Sequence, residues 1–189
     1  MVSDDYIMGF VEGEGCFSVA IQKDIDYRPR KTGRKNKMVH KSIRFKVRPS
    51  FRITLAKKDE NVIHLIKKKL DVGQIWIQSR KKYNENSQDT INYYVQKFSE
   101  LIKIRTFFQN QTFHTTKGKD FKKWAKVLEL MISEKHLQKE GFLEIIELRD
   151  QMNVQKGKTT MRLSKEIKSM LNSPEEHILA HKDTNQTQL

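Results

Sequence analysis

The sequence predicts an α+β fold in which an antiparallel four-stranded sheet carries its helices on one face and leaves the other open. Three observations predict it. Residues 42–55 alternate without a break: Ile43, Phe45, Val47, Pro49, Phe51, Ile53 and Leu55 fall on one side of a strand, and Arg44, Lys46, Arg48, Ser50, Arg52 and Thr54 on the other. Two more alternating runs, 74–80 and 90–97, flank a polar, turn-rich stretch and read as a hairpin. Stretches of helical period stand before, between and after these strands. The order is helix, strand, strand, helix, strand, strand, helix.

The first helix starts where Ser3 or Asp4 can cap it, and Tyr6, Ile7, Phe10 and Val11 give it apolar spacing. Gly9 and Gly13 lie four apart and so share one face. Glycine inside a helix costs about 1 kcal/mol, and two on one face point to close approach of another backbone. Glu14 falls at the C-terminal end, where the helix dipole disfavours an anion, so a cation is expected beside it. Gly15 can terminate the helix.

Phe17, Val19 and Ile21 then alternate with Ser18, Ala20 and Gln22, which reads as a half-buried strand. Residues 24–41 are dense in Lys and Arg and include Pro29 and Gly33, and read as a long basic loop. The strand after it sets Arg44, Lys46, Arg48 and Arg52 on one face, where like charges repel unless a polyanion lies across them. Pro49 suggests a strand edge or a bulge. Residues 58–71 form a helix with Asp59 as its cap, and Gly73 ends the unit. In the hairpin, Ile75 and Ile77 point inward and Gln74, Trp76 and Gln78 outward; Ile91, Tyr93 and Val95 oppose Thr90, Asn92, Tyr94 and Gln96. Outward Gln and Asn can hydrogen-bond base edges. Helices follow at 98–108, from Phe121 onward and at 142–152. A last amphipathic helix carries Leu163, Ile167, Met170 and Leu171, and residues from 172 onward read as a frayed tail.

With 37 Lys and Arg against 23 Asp and Glu, the chain of 189 residues carries a formal charge of +14, and the usual partner of such a surface is a polyanion. No long apolar span or lipid-anchor motif suggests a membrane, and residues 1–20 lack a signal-peptide pattern. The single Cys16 excludes an intramolecular disulfide and a cysteine-cluster zinc site, which fits a reducing compartment. The expected location is intracellular: a bacterial or archaeal cytoplasm, or an organelle.

The stretch Ile7-Met8-Gly9-Phe10-Val11-Glu12-Gly13-Glu14-Gly15 resembles the LAGLIDADG motif of homing endonucleases. The motif glycines match at Gly9 and Gly15, both acidic positions hold Glu, and Met8 stands where the family prefers a smaller residue. The motif occurs once, and the predicted elements over roughly residues 3–137 match the family's saddle. The resemblance implies a LAGLIDADG core over 1–137, a C-terminal helical extension over 138–172 and a flexible tail over 173–189. It implies a homodimer, with Ile7, Gly9, Phe10, Glu12 and Gly13 at the interface of paired helices, acting on a long pseudo-palindromic double-stranded DNA site and leaving 3′ overhangs. Glu14, with the backbone of Gly13, would hold Mg²⁺ (Mn²⁺ or Ca²⁺ being alternative occupants), and Lys117 before the fourth helix, with Lys119 as fallback, would assist catalysis. Residues facing DNA would be Ser18 and Gln22; Arg28, Arg30, Lys31, Arg34 and Lys37 of the basic loop; Arg44, Lys46, Arg48, Ser50, Arg52 and Thr54; and Gln74, Trp76, Gln78, Arg80, Asn92, Tyr94 and Gln96. Lys156, Lys158 and Thr159 would contact the DNA backbone. No small-molecule ligand is implied.

One departure concerns Leu55, which stands where active single-motif relatives usually carry a polar residue, often Gln, that helps organise water. Thr54 or Lys57 could substitute. A non-cleaving nucleic-acid binder, such as a maturase assisting RNA splicing on the same fold, is therefore the alternative. An architectural binder would not need Gly9, Gly13 and Glu14 together, and the strand alternation disfavours a helix–turn–helix repressor.

Overall fold

The computed structural model describes residues 2–29, 39–79, 88–152, 158–171 and 178–180, of which 25–29, 39–43, 158–162 and 178–180 are described by their backbone alone. The chain opens with α1 (Asp4–Glu14), capped by the Ser3 hydroxyl, which accepts a hydrogen bond from the Tyr6 N–H at 3.2 Å. It passes straight into β1 (Gly15–Pro29), which pairs antiparallel with β2 (Val39–Ala56) from Gly15 opposite Ile53 to Pro29 opposite Val39. A 3-10 turn leads to α2 (Glu60–Leu70), then β3 (Gln74–Gln78), β4 (Thr90–Val95) and α3 (Phe98–Gln109). Three more helices follow, α4 (Lys117–Ile132), α5 (Lys139–Asp150) and α6 (Lys158–Leu171), and a short strand β5 (Ile178–Ala180). The sheet order is β1-β2-β4-β3, with β5 parallel to β2 at Ile43–Phe45.

Helices pack on one face, over a core centred on Phe17. Its ring meets those of Phe51, Phe108, Phe113, Phe121 and Trp124 at centroid distances between 5.1 and 6.3 Å. Phe45, Val47, Phe51 and Ile53 of β2 are buried beneath the same layer, as the alternation requires. α5 adds Phe142, Ile145 and Ile146 to this core. α6 is tied on by Arg149 of α5, which is 3% exposed and bonds both Asp150 and the Ser164 hydroxyl, and by a Lys23–Glu166 ion pair of 2.6 Å.

Several expectations are corrected. Much of the basic loop expected over 24–41 is strand, since β1 runs to Pro29 and β2 starts at Val39; mutual pairing of the two strands overrides their loop-like composition, and 30–38 lie outside the described residues. Within the expected tail, Ile178–Ala180 forms β5, since β2 extends beyond β4 and offers an edge. Pro49, expected at an edge or a bulge, lies between the β2 residues paired to β5 and those paired to β4, a local edge among the described residues where a missing N–H is tolerated. Asp59 precedes α2 without a side-chain cap. Ile77, expected inward, is 49% exposed, because β3 is the outer strand and α2 packs chiefly over β4. Gln96 stands exposed beyond the end of β4.

Gly15 ends α1, but not by adopting a left-handed conformation: its φ is −71° and ψ 150°. It is needed for space. A Cβ there would stand 2.6 Å from Val11 Cγ1 and 2.7 Å from the Val11 carbonyl oxygen. Gly15→Ala should therefore destabilise the fold by about 1–3 kcal/mol, the cost of forcing a methyl into a packed site. Urea unfolding checks this, and a loss below about 0.5 kcal/mol, ordinary for a tolerant surface site, would show that the helix end can shift.

Candidate active site and nucleic-acid interface

The sheet's other face is polar, and cross-strand contacts hold its side chains in place. Ser18 and Ser50 share a hydroxyl hydrogen bond of 2.9 Å. Arg48 Nε donates to Gln22 Oε1 at 3.3 Å, and Lys46 pairs with Asp24 at 3.1 Å. Asp24 was not anticipated from sequence; only the strand register, which sets it opposite Arg44 and diagonal to Lys46, reveals it. Arg44 is half-buried and Arg52 exposed. On the outer strands Gln74, Trp76 and Gln78 are exposed, and Trp76 meets the half-buried Tyr94 edge-on at 5.4 Å.

Asn92 departs from the expected exposed base reader. It is 4% exposed, flanked in register by Trp76 and Thr54, and its Oδ1 accepts the Thr54 hydroxyl at 2.8 Å. Its Nδ2 has no partner among the described residues. Ser50 is likewise covered, at 8% exposure. Arg30, Lys31, Arg34, Lys37, Arg80 and Lys156 lie outside the described residues, and Arg28, Lys158 and Thr159 are placed by backbone only.

At the rim of this face, where α1 becomes β1, Glu14 is exposed and makes no hydrogen bond or ion pair among the described residues. A cation, Lys117, is tied to the next residue, Gly15, without an ion pair to Glu14 itself among the described residues. Lys117 is not in a loop but at the first position of α4, because Thr115 and Thr116 already accept from Gly118 and Lys119 and wind the helix. Its Nζ donates to the Gly15 carbonyl at 2.5 Å, which sets the ammonium at the C-terminal end of α1. Lys119, the fallback, is exposed one residue past Gly118 and has no such contact among the described residues.

The outward face of α1 also differs from expectation. Ile7 is fully buried in the chain's own core, because α1 packs across β1 and β2, so it presents nothing to a partner. Glu12 turns to its own chain: Oε1 accepts the backbone N–H groups of His114 at 2.6 Å and Thr115 at 2.7 Å. These bonds, Thr115's above all, hold the Glu12 carboxyl below its ordinary range, so the contact contributes stability above that range and loses it as pH falls through the lowered value. Nothing local in the sequence could indicate a contact spanning 102 and 103 residues. What remains outward is Tyr6 stacked on Phe10 at 6.1 Å, with Gly9 and Gly13. A Cβ at either glycine would meet nothing within 4 Å, so the chain's own packing does not account for them.

The LAGLIDADG endonuclease family model matches residues 7–128, from the start of the α1 motif into α4. The chain belongs to that family. As a LAGLIDADG protein it is similar to two curated relatives from Neurospora crassa. It is 24% identical over 147 residues to probable intron-encoded endonuclease 3, covering 77% of this chain, and 29% identical over 160 residues to probable intron-encoded endonuclease 2, covering 84%. It spans only 24% and 31% of the length of those relatives. Among solved structures, the homing endonuclease I-TnaI matches with a TM-score of 0.68 and 31% identity over 88% of this chain and 98% of that one. I-SmaMI, seen bound to cleaved DNA, matches with a TM-score of 0.68 and 26% identity, covering 88% of this chain and 49% of that one. Among the described residues no helix is long and apolar enough to cross a membrane.

The Thr54–Asn92 pair gives a stability test. Thr54→Val removes the hydroxyl that satisfies a covered carboxamide, and the cost should be about 1–3 kcal/mol, read as a lowered urea midpoint. An unchanged midpoint would mean that water reaches Asn92 in solution.

Proposed function

We propose that this protein is a site-specific DNA endonuclease that works as a homodimer and cuts both strands of a long pseudo-palindromic duplex by metal-dependent phosphodiester hydrolysis, leaving 3′ overhangs. The observation that carries this reading is the placement of an exposed Glu14, without a protein partner among the described residues, at the rim of a cationic sheet face, with the Lys117 ammonium bonded to the carbonyl of the adjoining Gly15. A nuclease needs phosphate-binding charge and a reactive centre on the same side of the molecule, and the α1–β1 junction supplies both.

The donors suit a hard divalent cation. Glu14 offers a carboxylate and Gly13 a main-chain carbonyl, an all-oxygen set appropriate to Mg²⁺, which takes few carboxylates and completes its shell with water and phosphate. Among the described residues no group of three or more His, Cys, Asp or Glu could hold a metal ion; the proposed centre would be completed by DNA and a second copy. When bound, the ion would neutralise phosphate charge and activate water. I-SmaMI has been seen on uncleaved DNA in the presence of calcium ions, which supports Ca²⁺ as an alternative occupant.

The remaining steps fall to the chain. Arg44, Lys46, Arg48 and Arg52 would neutralise backbone phosphates or read guanine edges. Gln74, Gln78 and the Trp76–Tyr94 pair would line the groove on the outer strands. Lys117, held on the Gly15 carbonyl, would present its ammonium to the scissile phosphate or to the attacking water. The open Gly9–Gly13 face, with Tyr6 and Phe10, would receive the same helix from a second copy, and two Glu14 side chains would then meet across a twofold axis. A non-cleaving splicing maturase is favoured by one observation: Leu55 is half-buried on the apolar side of β2 and cannot organise water, while the Thr54 hydroxyl is already committed to Asn92.

Glu14→Gln separates the two readings. On duplex carrying the target, wild-type protein should cut in Mg²⁺ and not in EDTA, and the variant should bind with unchanged affinity and leave the DNA intact. Cutting by the variant would remove Glu14 from the centre, and binding without cutting by the wild type would favour the maturase.

A further inference from the structure

Glu12 lies on the same helix as Glu14 but has a different environment. Its carboxylate reaches the segment between α3 and α4 and takes the N–H groups of His114 and Thr115. The Thr115 hydroxyl in turn accepts from the Lys117 N–H at 3.3 Å. Lys117 then closes the path by donating Nζ to Gly15, three residues along from Glu12. The cycle is therefore Glu12, Thr115, Lys117, Gly15. Its segment is also seated from behind: the Phe113 ring packs on Phe17 at 6.3 Å and on Phe121 at 5.2 Å, and a Cβ on Gly118 would strike Phe113 Cβ at 2.6 Å.

We propose that Glu12 is a positioning residue: by gripping the backbone at His114 and Thr115 it sets the first turn of α4 so that the Lys117 ammonium stands at the Gly15 carbonyl, beside Glu14. The two acids of the motif thus divide the work, one left open at the reactive rim and the other turned inward to place a lysine. This rests on the reading of Lys117 as part of the cleavage machinery. The physical reason for assigning placement to Glu12 is reach. A lysine side chain has many rotamers and would sample many positions from a mobile segment. Two charge-assisted hydrogen bonds to consecutive main-chain N–H groups fix the segment's distance and angle to α1. At metal centres, loss of a contact that orients a ligand costs about 10–100-fold in affinity or activity.

The link is tested first without cleavage. Full-length wild type, Glu12→Ala and Glu12→Gln are treated with an acetylating reagent, and modification of Lys117 is followed by peptide mass spectrometry, with exposed Lys119 as the internal control. The ammonium held on Gly15 should react slowly in wild type. In Glu12→Ala it should react at least about fivefold faster, the factor equivalent to the loss of one hydrogen bond, with Lys119 unchanged. Glu12→Gln, whose amide oxygen can still accept both N–H groups, should fall between, and it keeps the test decisive should Glu12→Ala fail to fold. Equal Lys117 reactivity in all folded variants would overturn the proposal.

Single-turnover cleavage then tests what the placement is for. If Glu12 acts through Lys117, Glu12→Ala combined with Lys117→Met should be no slower than Lys117→Met alone, and the double variant should bind DNA as Lys117→Met does. Effects that multiply would refute action through Lys117. Wild-type cleavage by Lys117→Met would instead remove Lys117 from the reaction, leaving the acetylation result to decide whether Glu12 places it.

Discussion

Everything at the rim depends on a helix that becomes a strand with no loop between them. α1 ends at Glu14 and β1 begins at Gly15, whose N–H still bonds to Val11 and whose Cα lies so close to Val11 that no side chain fits. That close approach brings the last acid of the helix to the margin of the sheet instead of leaving it on a flexible connection. It also exposes the Gly15 carbonyl to Lys117, whose ammonium complements the negative end of the helix dipole. Helix, sheet face and lysine are thereby fixed relative to one another by a single junction.

The polar face shows how a crowd of like charges can be kept ordered before any polyanion arrives. Gln22 holds Arg48, Asp24 holds Lys46, and Ser18 with Ser50 fills the middle with a neutral pair. Each cross-strand contact lowers the conformational freedom that binding would otherwise have to remove. Rim charges of this kind act chiefly on steering and salt dependence, whereas the covered Thr54–Asn92 pair, close to the α1–β1 junction in register, acts on the shape of the floor.

The parts of the structure that were legible in the sequence are those encoded by local period. The alternation of β2 identified its buried and open faces from Arg44 to Thr54, apart from the covered Ser50, and the glycine and glutamate spacing in α1 identified both the rim acid and a face with no internal use. Other features depend on which residues become neighbours in three dimensions. The length of β1 and β2 follows from their pairing, not from the composition of 24–41. Asn92 is covered only because Trp76 and Thr54 flank it, and Ile7 faces inward only because α1 crosses two strands. Glu12 offers the clearest case, since its partners are main-chain groups, which carry no residue identity to read.

The central claim is that one chain supplies half of a cutting centre and a second copy the rest. The most direct test mixes differently tagged wild-type and Glu14→Gln chains, isolates the mixed dimer, and assays it on a supercoiled plasmid bearing the target site. The account predicts open-circular product, nicked on one strand, where the wild-type dimer yields linear DNA. Linear product from the mixed dimer, or full activity from a wild-type monomer, would contradict it.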